Sequence, residues 1–330
     1  SPRRSPRRVL VALFAALVVL LAACGDDEPT VAQSGQRPGT TDAAPSDDPS
    51  DESSFPVTIS DDRGELTIEA RPERIVSMSG SLTEIVFAIG AGDQVVAVDE
   101  LSYYPPEAPV TEMSAYDPSV EAIAEHDPDL VLVSYDPGDL VEGLELLDIR
   151  VVFLNAPADL DAVWQQIETL GAATGHLSEA AELVAQMQAD IDEILADLPE
   201  HAEGLTYFHE LDDLYYTVTS TTFLGQLYAL FGLENIADAA DPDGTSGGYP
   251  QLSEEYIIEA DPDLIFLADA DCCGQSAGTV AARPGWGGLT AVSRGGVVTL
   301  DEDVASRWGP RLVDHLRAVA DAIAALEPVG

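Results

Sequence analysis

A ten-residue pattern occurs twice, and it constrains the fold more than any other feature of the 330-residue chain. Glu121-x-Ile123-x-Glu125-x-Asp127-Pro128-Asp129-Leu130 recurs with identical spacing as Glu255-x-Ile257-x-Glu259-x-Asp261-Pro262-Asp263-Leu264. Each copy runs on into an apolar stretch, LVLV from Leu130 and LIFL from Leu264. Turn chemistry accounts for an isolated Asp-Pro-Asp, because Pro stops a helix and Asp suits a turn. It does not account for the matching Glu and Ile positions. Two lobes of one build are therefore expected, each with a helix that leads into a buried strand.

The sequence around the two copies alternates between strand and helix patterns. VTI and LTI flank Asp61-Asp62-Arg63-Gly64, a hairpin signal. Ile75 to Met78 reads as a strand, followed by Ser79-Gly80-Ser81 and a helix with Leu82, Ile85, Val86 and Ile89 on one face. Ser81 with Glu84 has capping-box spacing. Val95 to Val98 reads as the next strand. In the second half, Tyr215 to Thr219 reads as a strand and Ser220-Thr221-Thr222 opens a helix closed by Gly232. This alternation implies parallel sheets covered by helices.

Between the halves, Leu183, Val184, Met187, Ile191, Ile194, Leu195 and Leu198 share one helical face ahead of Pro199. One long helix of about 30 Å is expected there, either joining the lobes or lying on the surface of the first. The fold class is α/β: two Rossmann-like lobes with parallel sheets, joined by a single long helix, with a ligand cleft between them. The expected divisions are a leader (1–24), an acidic linker (25–54), a first lobe (55–176), the connecting helix (177–199) and a second lobe (200–330).

Arg3, Arg4, Arg7 and Arg8 precede an apolar run from Val9 to Ala23. The run suits the core of a signal peptide and is short for a membrane span. Its end, Leu21-Ala22-Ala23-Cys24, resembles the lipobox of bacterial lipoproteins, in which the Cys carries a diacylglyceryl group. Two acyl chains hold a protein stably at a membrane; the alternative is an uncleaved anchor with an incidental Cys. Residues 25–54 hold too few apolar side chains to form a core and read as a flexible acidic spacer. The chain has no Lys, and without the leader 10 Arg face 60 acids, a formal charge of −50. Such a surface repels nucleic acid and anionic lipid, so no nucleic-acid partner is expected and membrane contact falls to the lipid alone. Beyond Cys24 only Cys272 and Cys273 remain, which excludes a disulfide framework. These neighbours are candidates for a vicinal disulfide or, alternatively, for a metal ligand.

Ligands of open α/β sheets bind beyond the carboxyl ends of the strands. The segments expected there are Ser79 to Ser81, Asp99 to Pro106, Tyr135 to Gly138, Thr219 to Thr222 and Asp301 to Arg311. Here the chain resembles the class III substrate-binding proteins of ABC importers, the vitamin B12, haem and ferric-siderophore group. The resemblance spans roughly residues 56 to 327. It is carried by Arg74-Ile75-Val76-Ser77 behind the hairpin, Ser81-Leu82-Thr83-Glu84-Ile85, Tyr103-Tyr104-Pro105-Pro106, Pro118-Ser119-Val120-Glu121, Pro128-Asp129-Leu130-Val131, Gly232-Leu233-Glu234-Asn235-Ile236 and Trp308-Gly309-Pro310-Arg311.

What the resemblance implies is a monomer on the outer face of the cytoplasmic membrane, with small motions on binding. It would hand its ligand to an ABC permease dimer driven by a cytoplasmic ATPase. Ser79, Ser81, Tyr103, Tyr104, Tyr135 and Tyr249 become ligand-binding candidates, the tyrosines as faces for a flat ligand. Glu121 and Glu255 fall at the family's permease-docking positions, where helix-dipole chemistry is the plainer alternative. Arg307 and Arg311, flanking Trp308, could fork onto a ligand carboxylate or phosphate, or pair with an acid inside the lobe.

No resident cofactor and no metal site of the protein's own is expected. The ligand is read as a metal chelate: a ferric siderophore or cobalamin, with haem as the alternative. Tyr103, Tyr104, His209 and Tyr249 are candidate haem-iron ligands. A zinc or manganese receptor is a further alternative, but His126, His176, His201, His209 and His315 are scattered. The His209 to Asp213 run reads as a solvated strand end. His-Glu-x-x-His does not occur, and Gly244-Thr245-Ser246-Gly247-Gly248, which fits Gly-x-Ser-x-Gly, reads as a flexible loop, so the chain reads as no enzyme and a surface hydrolase ranks below the other readings.

Overall fold

The structure is a computed structural model that describes residues 55–199 and 202–326. The leader, Cys24 and the acidic linker lie outside the described residues. The strands are β1 (Val57–Asp61), β2 (Gly64–Ile68), β3 (Ile75–Met78), β4 (Val95–Val98), β5 (Leu130–Val133), β6 (Arg150–Phe153), β7 (Thr206–Glu210), β8 (Glu234–Asn235), β9 (Leu264–Leu267) and β10 (Val297–Thr299). The α-helices of the first half are α1 (Gly80–Ala88), α2 (Val120–Ala124), α3 (Leu140–Glu145), α4 (Leu160–Thr174) and α5 (Leu177–Ala196). Those of the second half are α6 (Phe223–Ala229), α7 (Glu254–Ala260), α8 (Ala270–Cys273), α9 (Ala277–Ala282), α10 (Thr290–Arg294), α11 (Glu302–Ser306) and α12 (Leu312–Ala325).

Two four-stranded parallel sheets form, and they share one topology. The first runs β4-β3-β5-β6 and the second β8-β7-β9-β10. In each the first strand of the lobe sits second, flanked by its second and third strands. β5 and β9 are buried along their whole length, as strands covered on both faces require. The β1-β2 hairpin docks on the outer edge of the first sheet: Asp62 N donates to Phe153 O, and Arg63 Nη2 to Val151 O. It thereby covers part of an edge strand that would otherwise present unpaired backbone groups.

The repeated pattern now has a physical account. Ser119 and Ser253 are the N-caps of α2 and α7, each accepting a backbone N–H three residues on. Asp127 and Asp261 end those helices in the left-handed conformation, at φ 51° and 46°, which Asp tolerates better than most residues. The last Asp of each motif then clamps the start of its lobe's first strand. Asp129 accepts from Glu73 N and Arg74 N, and Asp263 accepts from Thr206 N. The pattern therefore encodes a stop and a clamp that each lobe needs once, and a serine two residues ahead of it supplies the cap.

A single hydrophobic cluster spans both lobes. It contains Ile75 and Leu130 of the first sheet, Tyr207 and Phe266 of the second, and Val184, Met187 and Leu316 of the helices between. Two helices stand between the sheets where one was expected. α4 packs on α5, and α5 packs on α12. Gly175 turns the chain between α4 and α5 at φ 79°. Gly171 lets them close, since a Cβ there would meet Ala180 Cβ at 2.4 Å.

Three local expectations are corrected. Tyr215 to Thr219 is not a strand: Asp212 accepts from Leu214 N and Tyr216 N in a local turn, and only the Tyr216–Gln251 bridge pairs. Ser81 and Glu84 form no capping box, because α1 starts at Gly80 and Glu84 points to arginines instead. His209 and Glu210 are not solvated but fully buried at the end of β7.

Candidate functional site

The strand order of the first lobe makes a switch point between β3 and β5, where the flanking connections diverge and leave a crevice. A cavity of about 350 Å³ opens there. Its first-lobe wall is Ser79, Gly80 and Ser81 after β3, Asp99 and Leu101 after β4, and Ser134 and Tyr135 after β5. Tyr116 adds a ring that is 72% exposed. The opposite wall comes from the segment that leaves the second lobe: Asp303, Ser306, Arg307 and Trp308. Burial pushes the Asp99 carboxyl up, although Ser102 Oγ and Leu101 N donate to it.

A buried latch holds that second wall against the first. Glu84, 2% exposed, receives both arginines of the 307–311 segment. Arg307 Nη1 donates to Glu84 Oε1 at 3.0 Å, and Arg311 donates through Nε and Nη2 at 3.1 and 2.6 Å. The other arm of Arg307 donates to Leu101 O and to Asp303, both at 2.7 Å. Tyr103 lies under Arg307 and Tyr104 under Arg311, with guanidinium carbons 5.4 and 4.1 Å from the ring centres. Asp303 beside its hydroxyl pushes the Tyr103 phenol up. Trp308 is fixed at both ends: its N–H donates to Ser81 Oγ and its indole to Gln166 of α4. Gly80 and Gly309 make room, since a Cβ at either would crowd Arg307 or Glu84.

The structure divides the residues that the sequence proposed. Ser79, Ser81, Tyr135, Arg307 and Trp308 line the cleft together. Tyr104 and Arg311 line a separate cavity of about 380 Å³ with Phe87, Glu107 and Asp314. Tyr249 is half exposed beside the 219–222 loop, where Thr219 N donates to Gly248 O. His209 is withdrawn into the second-lobe core, where its Nδ1 meets Tyr228 Oη at 2.8 Å, so it cannot reach a bound haem. Glu121 and Glu255 are exposed in the first turns of the equivalent helices α2 and α7. Asp99, Tyr116, Ser134, Asp303 and Ser306 were not foreseen as lining residues. The strand-end rule pointed to several of their segments without selecting side chains.

The mouth of the second sheet carries a different cluster. Glu210 is fully buried, and both its oxygens accept from Arg283 at 2.6 and 2.5 Å. Arg283 in turn lies over the Trp286 and Tyr215 rings. Asp269 follows β9 with no exposed surface, and its carboxyl is pushed up to about 7 by burial and then by Glu210. Nearby, Cys272 and Cys273 are joined as a disulfide of adjacent residues, and Cys272 N donates to Glu302 Oε1. No group of three or more His, Cys, Asp or Glu side chains converges on a metal position among the described residues, and none of their helices is long and apolar enough to cross a membrane.

Two α/β lobes of one topology around a mouth-side cleft define a ligand-capturing body. The chain belongs to the periplasmic binding protein family, whose sequence profile matches residues 75–304. It is 32% identical over 279 residues to an uncharacterised ABC transporter substrate-binding lipoprotein, YvrC, of Bacillus subtilis, covering 82% of this chain and 86% of that one. It is also 32% identical over 319 residues to a cobalamin-binding protein of Halobacterium salinarum, covering 94% and 84%. Among solved structures, the apo form of the periplasmic heme-binding protein RhuT from Roseiflexus sp. RS-1 superposes with a TM-score of 0.67 at 25% identity, covering 77% of this chain and 99% of that one.

Proposed function

We propose that this chain is the ligand-capturing lipoprotein of an ABC importer, held at the outer face of the membrane through Cys24, and that its ligand is a corrinoid or a comparable metal chelate. The cleft is the observation that carries this reading. It sits at the topological switch point and is built from both ends of the chain. Exposed Tyr116 and Tyr135 and the fixed Trp308 surround four serine hydroxyls, from Ser79, Ser81, Ser134 and Ser306. Flat aromatic faces with neutral donors and acceptors suit a planar macrocycle fringed with amides. The cobalamin-binding relative supports the same choice.

Haem is the competing ligand. It would need a metal-binding side chain and partners for two propionates. Asp303 beside the Tyr103 hydroxyl pushes its phenol up, which disfavours a phenolate ligand, and His209 is buried. Trp308 in the wall makes the test direct: fluorescence quenching of the full-length protein with cyanocobalamin, haemin and a ferric hydroxamate. Saturable quenching by cyanocobalamin at the lowest concentration of the three supports the corrinoid reading. Saturation by haemin alone replaces it with haem, and no binding by any of the three removes the ligand class.

A further inference from the structure

Among the described residues the cleft has no uncommitted positive charge. Arg307 is the single basic residue among those that line it, and that guanidinium is already shared by Glu84, Asp303 and the Leu101 carbonyl. The two arginines nearest it in role are equally engaged, Arg311 by Glu84 and Arg283 by Glu210. Against this, two carboxylates line the cavity, Asp99 and Asp303, within a chain of formal net charge −46. The remaining polar groups are neutral hydroxyls.

We propose that the cleft selects its ligand by charge: it accepts a flat metal complex whose rim is uncharged and amide-rich, and rejects one whose rim carries free carboxylates. Asp303 is the specificity-determining residue. This deepens the corrinoid reading and rests on it for the identity of the ring, though not for the charge rule. A ligand carboxylate entering the cleft finds no guanidinium to fork onto. To recruit Arg307 it must displace Glu84 or Asp303, the two carboxylates already in contact with it in a low-dielectric crevice. A neutral amide meets no such opposition and can use the serine hydroxyls. Arg307 and Arg311 thus take the alternative role expected of them, pairing with an acid of the protein: they organise the wall and leave nothing for an anion.

The test compares rings that differ only in rim charge, on the full-length protein. Cyanocobalamin is set against its monocarboxylic acid, in which one propionamide is hydrolysed. Haemin is set against its dimethyl ester. At low salt each added carboxylate is expected to weaken binding on the order of tenfold, and the gap is expected to shrink as ionic strength rises. Asp303→Asn, which releases one arm of Arg307, should narrow the gap between each amide or ester ring and its carboxylate counterpart. If that variant fails to fold, the salt titration of the parent still decides. Equal or tighter binding of the monocarboxylate at low salt overturns the charge rule and leaves the corrinoid reading standing. Binding of the ester over haemin with no corrinoid bound overturns the corrinoid reading and leaves the charge rule standing. Binding of neither ring series removes both.

Discussion

His315→Leu should stabilise the protein, and increasingly so as the pH falls. His315 is 1% exposed on the inner face of α12, and neither ring nitrogen has a hydrogen-bond partner. Its ring stands edge-on to Tyr228, which also meets His209. Burial drops the pKa of His315 to about 4, and burial with the neighbouring His315 drops that of His209 to about 3. An unfolded His titrates near 6.5. The folded chain thus refuses a proton that the unfolded chain takes. Stability contributed by neutral His315 is complete above about 6.5 and is lost as the pH falls toward about 4. At about 1.36 kcal/mol per unit, the loss between pH 6.5 and 5 is about 2 kcal/mol for this one residue. Leucine removes the titration and also relieves two unpaired nitrogens, worth about 1–3 kcal/mol at any pH. Asp269 pulls the other way, because its raised pKa favours the folded state on acidification below about 7. It is common to parent and variant and cancels in their difference. Urea unfolding at pH 7.5 and pH 5.0 measures that difference. A gap that does not widen by at least about 1 kcal/mol at the lower pH would show that the buried imidazole does not govern the acid response.

Two further outcomes follow from the latch and from the repeat. Glu84→Gln leaves both Arg307 and Arg311 with Asp303 as their one remaining carboxylate, at 2.7 and 4.0 Å, and should cost about 3–5 kcal/mol in urea unfolding; a loss below about 1 kcal/mol would mean the latch is a passive contact. Glu121→Ala with Glu255→Ala should abolish uptake by cells while leaving ligand affinity and urea midpoint unchanged, and an equal fall in affinity would remove the docking assignment.

What was legible in the sequence was what is local in the chain. The repeat records a left-handed stop and a clamp within ten consecutive residues, Glu121 to Leu130, so spacing alone exposed it. The parallel strands were equally plain, because LVLV and LIFL are buried on both faces. The latch was not legible, since Glu84 and its arginines are separated by more than 220 positions and no periodicity links them. Residues 209 and 210 misled for a related reason. A polar pair at a strand end usually meets water, and only the tertiary arrivals of Arg283 and Tyr228 make burial tolerable. The sequence left residues 307 and 311 open to a ligand anion or to an acid of the protein. The scarcity of arginine could not say that each was already claimed from across the fold.

The shared core also decides how such a cleft can work. A hinge motion that carried α4 away with the first lobe and left α5 on α12 would separate α4 from α5, and with them Ile167 and Leu170 from Val184 and Met187. Four large apolar side chains at about 1.5–3 kcal/mol each amount to roughly 6–12 kcal/mol. A ligand held at about 1 μM supplies about 8 kcal/mol in total. Opening would therefore consume most or all of the binding free energy, before the Glu84 latch is broken. The walls from Ser79 to Ser81 and from Asp303 to Trp308 must then be in place before the ligand arrives. Adjustment falls to side chains that cost little to move, chiefly the exposed Tyr116 and Tyr135. On the charge rule proposed above, selectivity would then come from a fixed distribution of charge along this wall, and not from closing around whatever enters.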